Sequence, residues 1–147
     1  MARKWDDNTE NQYSHNNKTS THMKAISTEK APKAIGPYSQ AIEAGGMVFV
    51  SGQLPIDPAT GIFAEGGIKE QTRQSLTNAM HILEEAGTDL AHVVKTTVFL
   101  SDMDNFAAMN EVYAEFFSMP FPARSAVAVK TLPKNALVEV ECTAIKG

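Results

Sequence analysis

Two stretches of helical period, each set between runs of strand-like residues, constrain this chain more than any other feature. From Ile68 to Ala86, Leu76, Ala79, Met80, Leu83 and Ala86 recur at helical spacing, while Lys69, Glu70, Arg73 and Glu84 supply a wet face. Gly87 is placed to stop that helix in a left-handed conformation. A second helix is predicted through Phe117, capped by Asp102 or Asp104, with a stripe of Phe106, Met109, Val112 or Tyr113, and Phe116. Between them His92 to Leu100 is dominated by β-branched residues and reads as a strand.

Ahead of the first helix, Ala41-Ile42-Glu43 reads as extended, Gly45-Gly46 as a hairpin turn, and Met47 to Val50 as a buried strand ended by Ser51-Gly52-Gln53. Asp57 to Gly67 is expected to be an exposed excursion. Ser125 to Lys130 and Ala136 to Ile145 close the chain as strands, joined through Leu132-Pro133-Lys134-Asn135. The order ββ-α-β-α-ββ predicts an α+β fold, a mixed β-sheet with two helices packed on one face. The other sheet face is too apolar for a monomer in water, so assembly through it is expected, with sites in clefts between subunits.

The 147 residues predict one core. Residues 1–22 stand apart: polar, rich in Asn, Thr and Ser, and without apolar period. They read as an expression leader or a natural disordered extension, leaving 23–147 as one domain. A net charge of −4, with no run of Lys or Arg interleaved with aromatics, argues against a nucleic-acid surface. No apolar segment approaches the roughly 18 residues that span a bilayer, so no membrane partner is expected. Cys142 is the only cysteine, so no intrachain disulfide is possible, and a reduced, cytoplasmic setting fits.

Pro122-Ala123-Arg124-Ser125 sets a permanent charge at the mouth of the apolar run Ala126-Val127-Ala128-Val129. Burying that guanidinium is costly without an anion. Either Glu139 or Glu141 on the neighbouring strand neutralises it, or it waits for a ligand carboxylate or phosphate, which its planar fork fits. Period 2 places Val138, Val140, Cys142 and Ala144 on one side of the last strand, and Glu139 and Glu141 on the other. Those acids form a solvated edge or the wall of a site, where a carboxylate can polarise a water. Tyr38, after Gly36-Pro37, reads foremost as a turn aromatic packed on the core, with a ligand-covering phenol as the alternative. Gly52, after Ser51, is a tight turn or a place where a ligand reaches the backbone. His15, His22, His81 and His92 match no metal spacing, so no metal is expected. Cys142 shares its face with valines and is not expected to be a nucleophile.

Ala34-Ile35-Gly36-Pro37-Tyr38-Ser39-Gln40-Ala41, Val50-Ser51-Gly52-Gln53-Leu54-Pro55, Val94-Lys95-Thr96-Thr97-Val98-Phe99-Leu100, Phe121-Pro122-Ala123-Arg124-Ser125 and Val138-Glu139-Val140-Glu141 occur in this order. Together they resemble the Rid (YjgF-type) enamine/imine deaminases, from about Lys24 to Lys146. The resemblance implies a chorismate-mutase-like fold, a homotrimer with inter-subunit sites, and cofactor-free hydrolysis of 2-imino acids such as 2-iminobutanoate and 2-iminopropanoate to 2-keto acids and ammonia. It implies that Arg124 binds the substrate carboxylate and that Glu139 is linked to the attacking water. It places Tyr38, Ser51, Gly52 and Asn110 on pocket positions, and Ala126, where many relatives carry cysteine, as a backbone contact. The loop Ser118-Met119-Pro120 also looks shorter than in many relatives. A non-catalytic keto- or imino-acid-binding trimer and an endoribonuclease-like activity are the alternatives.

Overall fold

The computed structural model describes residues 22–146, so the expected leader lies, but for His22, outside the described residues. Six strands and two helices follow in order: β1 Lys24–Ile26, β2 Ala41–Ala44, β3 Met47–Gln53, α1 Ile68–Glu85, β4 Val93–Leu100, α2 Phe106–Phe116, β5 Ala123–Ala128 and β6 Val138–Ile145. They form one sheet in the order β1-β2-β3-β6-β4-β5. Only β4 and β5 pair in parallel; the other pairs are antiparallel. The mixed α+β architecture is the one expected from the pattern. Each helix is a crossover between strands of the same direction, which a tight turn cannot join. The crossover through α1 leaves a gap between β3 and β4, and the last strand fills it.

Both helices cover one face. Val138, Val140, Cys142 and Ala144 lie buried there with Val48, Val50, Val98 and Leu100, beneath Leu76, Ala79, Ile82, Leu83 and Met109. The α1 stripe differs from the expected one: Ile82 is fully buried and Met80 only partly. Polar residues belong to the packed face and rotate it. Asn78 is buried and donates to the carbonyls of Leu54 and Ile56 at 3.1 and 2.9 Å, pinning the excursion after β3. Gly87 does end α1, at φ 84°, and the Thr88 amide reaches back to Leu83 O at 3.0 Å. Asp102 accepts from the Asp104 amide at 2.8 Å, starting a 3₁₀ turn that leads into α2.

One local expectation, the start of β5, is corrected, and two features lie outside the expected pattern. β1 has only three residues, one of them buried, and carries no periodic signal. β5 starts at Ala123, so Arg124 sits inside the strand, against Thr96 of β4. The turn before β6 places Lys134 and Asn135 at φ 55° and 56°. Opposite the helices the sheet is bare, with Phe49, Val127 and Ile145 about half exposed. Among the described residues no helix is long and apolar enough to cross a membrane.

Candidate active site

Arg124 lies on the helix side of the sheet, at its β5 edge. One of its guanidinium nitrogens donates to Asn110 Oδ1 at 2.6 Å. The group sits over the rings of Tyr113, 4.7 Å from centroid, and Phe106, 5.5 Å. Phe106, Asn110 and Tyr113 are spaced i, i+4, i+7, so α2 presents them on one face. Tyr113 is fixed in turn by a 2.8 Å hydrogen bond with Thr96 and by stacking on Phe117. Burial raises the Tyr113 pKa, outweighing the opposite pulls of Thr96 and Arg124, so the phenol stays neutral. Among the described residues no carboxylate pairs with Arg124. A cavity of about 430 Å³ opens beside it, lined also by Asn110, Tyr113 and Phe121. π-faces and an amide oxygen stabilise the charge only partly, leaving its fork available to an anion.

Ala126 follows on the same strand. The Val129 amide donates to Leu100 O at 2.9 Å. Alternation along a parallel pair then turns the backbone groups of Arg124 and Ala126 away from β4, to the open edge. Methyl or thiol at this position leaves those main-chain groups in place.

Glu139 lies on the bare side, paired in register with Phe99. Its seat is made by Gly52. An added Cβ on Gly52 would fall on the Glu139 carboxylate, 2.9 Å from the carboxyl carbon. The β3–β6 register shifts between Val50 and Gln53, so Ser51 and Gly52 form a bulge that admits the acid. Ser51 locks the bulge: its hydroxyl donates to Ser39 O at 2.6 Å and its amide to Gln40 O at 2.9 Å. Burial raises the Glu139 pKa, and the negative charge of Glu141 adds to the rise. Tyr38 is 53% exposed, which overturns its reading as a core-packed turn residue. It lies instead at a cavity of about 280 Å³ that Gly52 also lines.

The seven candidates therefore gather in two groups: Arg124, Asn110 and Ala126 in one, Glu139, Gly52, Ser51 and Tyr38 in the other. The expectation that Arg124 neighbours the acids is corrected. β4 lies between β5 and β6, and the sheet separates the guanidinium from both carboxylates. Cys142 is buried, and burial first, then Glu141, pushes its thiol up to about 12, so it is no nucleophile. Among the described residues no three His, Cys, Asp or Glu gather as a metal site.

The family model described as Endoribonuclease L-PSP matches residues 28–146. The chain belongs to this family, the Rid proteins. It is 59% identical to a RutC family protein of Pyrococcus horikoshii over 82% of this chain and 96% of that one. It is 47% identical to the human 2-iminobutanoate/2-iminopropanoate deaminase, over 84% of this Rid protein and 90% of the human one. Among solved structures it resembles yeast Mmf1, at TM-score 0.82, 42% identity and coverage of 86% and 100%. It also resembles E. coli TdcF with bound serine, at TM-score 0.80, 42% identity and coverage of 84% and 99%. Missing from the sequence reading were Phe106 and Tyr113 as the cradle of Arg124; their shared face with Asn110 was the available signal.

Proposed function

We propose that this Rid protein is a deaminase that hydrolyses small 2-imino acids, 2-iminobutanoate and 2-iminopropanoate, to 2-keto acids and ammonia. It acts as a homotrimer of chorismate-mutase-like subunits, each site joining the Arg124 group of one subunit to the Glu139 group of the next. The observation that carries this is a guanidinium that pairs with no carboxylate among the described residues, held open toward a cavity on an edge strand. The bare apolar sheet face, with Phe49, Val127 and Ile145, supplies the surface for assembly. The deaminase names of relatives near half identity support the chemistry.

In this reading Arg124 binds the substrate carboxylate through two charge-assisted hydrogen bonds, each worth roughly 1.5–3 kcal/mol. Outward backbone groups at Ala126 fix its second edge, and Tyr38 covers it. Glu139 accepts a proton from a water as its oxygen bonds to the imine carbon and the C=N π pair moves onto nitrogen. The same proton is returned to nitrogen, giving the carbinolamine. Glu139 then takes the hydroxyl proton as the carbonyl forms and passes it to the departing nitrogen, so the C–N bond breaks and ammonia leaves. A carboxylate with raised pKa suits a group that both takes and returns a proton. An imine is already electrophilic, so positioning and one proton relay are enough.

The test is a coupled assay in which a dehydratase generates 2-iminobutanoate from threonine. The protein is expected to shorten the lifetime of the imine, and an unchanged lifetime refutes the activity. Arg124→Ala should lower kcat/KM about 100-fold or more, as loss of two charge-assisted bonds requires.

A further inference from the structure

We propose that the groove beside the Glu139 seat is a subsite for a second carboxylate, directing this protein toward dicarboxylic 2-imino acids. The inference rests on the deaminase reading and names its substrate class. The 280 Å³ cavity lined by Tyr38 and Gly52 shares Lys33, Lys134 and Ile56 with a further cavity of about 470 Å³, so the two form one groove. It runs from the proposed place of the attacking water away between the loop before β2 and the turn before β6. Lys33 and Lys134 line it in both parts, and among the described residues neither is in a salt bridge. Glu29, at the outer part, is the one acid lining it among the described residues.

Two ammonium groups without a salt bridge among the described residues, in a groove that Gly52 also lines, bring positive charge to a chain of net charge −4. The turn carrying Lys134 is itself special. Lys134 adopts left-handed backbone, which a lysine rarely does, and is followed by Asn135, a residue type that takes it more readily. The body of the protein therefore holds this turn, and its lysine, against the local preference of the chain. A substrate anchored by one carboxylate on the neighbouring Arg124, with its imine carbon at Glu139, extends its side chain into this groove. The ammonium groups that line the groove would favour a side chain ending in a carboxylate over one ending in an alkyl group.

The experiment compares two imines matched in length, those of glutamate and norvaline, released by an amino-acid oxidase. The wild-type ratio of kcat/KM, dicarboxylic over monocarboxylic, is expected to exceed one and to fall as salt rises. Lys33→Gln with Lys134→Asn, which suits left-handed backbone, should lower that ratio three- to tenfold, the range for two exposed ion pairs. Lys134→Arg should keep it. Calorimetry with 2-ketoglutarate and 2-ketopentanoate gives a readout without turnover, with the same preference expected. If neither imine is hydrolysed, the deaminase reading fails, and the keto-acid preference alone decides the subsite. If both are hydrolysed with a ratio that the double variant leaves unmoved, the subsite fails and the deaminase stands.

Discussion

The seats of Arg124 and Glu139 hold opposite charges by opposite means. The guanidinium is cradled: two aromatic faces and an amide oxygen surround it, and an open cavity adjoins it. The carboxylate is wedged: a bulge with no side chain at Gly52 makes just enough room, and Glu141 repels it. The first seat keeps a charge on and leaves it free to bind. The second makes its charge costly, so that a proton is readily taken up. Had the two shared one face of the sheet they would have neutralised each other, and neither would serve a ligand. Separation by a whole strand and by the sheet itself preserves both.

The comparison breaks most visibly in mixed assemblies. Subunits carrying Arg124→Ala and subunits carrying Glu139→Gln should each be nearly inactive alone. Co-assembled, they should regain about one quarter of wild-type activity, the share of junctions with both seats intact in a randomly formed ring. Activity that stays at the single-variant level would place the whole site within one chain. Gly52→Ala comes next: the methyl displaces the carboxylate, so kcat should drop about 10- to 100-fold, within the range of a lost general base. Circular dichroism should stay unchanged, because the clash is with a side-chain end. Asn110→Ala should be milder, raising KM about three- to tenfold while kcat holds, since one hydrogen bond to the guanidinium is lost. The smallest effect is a shift along the pH axis. Activity should fall on the acid side as Glu139 is protonated, at a pH above the ordinary carboxylate range. Glu141→Gln removes a like charge, so that limb should move to lower pH. The folded state also holds the Glu139 proton more tightly than the unfolded chain. This acid's destabilising contribution is therefore full above its folded pKa and is relieved as pH falls through it, which thermal melts of the wild type and Glu139→Gln can compare.

Elements long enough to show a period were legible. Both helices, the Gly87 stop and the alternation Val138 to Ile145 follow from local pattern, because burial on one face imposes it. β1 was not legible, since three residues cannot display a period. Of the α1 face, the apolar part was readable, while Asn78 was not, because its burial depends on carbonyls more than 20 residues away. Tyr38 was misjudged for the same reason: whether a turn aromatic finds a shelf is decided by neighbours remote in the chain.

By itself, then, the sequence determined which residue types were available and where the two helices and the longer strands would run, because those depend on contacts within a few residues. It also placed the chain in its family through motifs in order. Only the tertiary structure decided that β6 enters between β3 and β4, and hence that a strand and a sheet stand between Arg124 and the acids. Strand order is set by which faces bury together over long separations, and no local spacing encodes it.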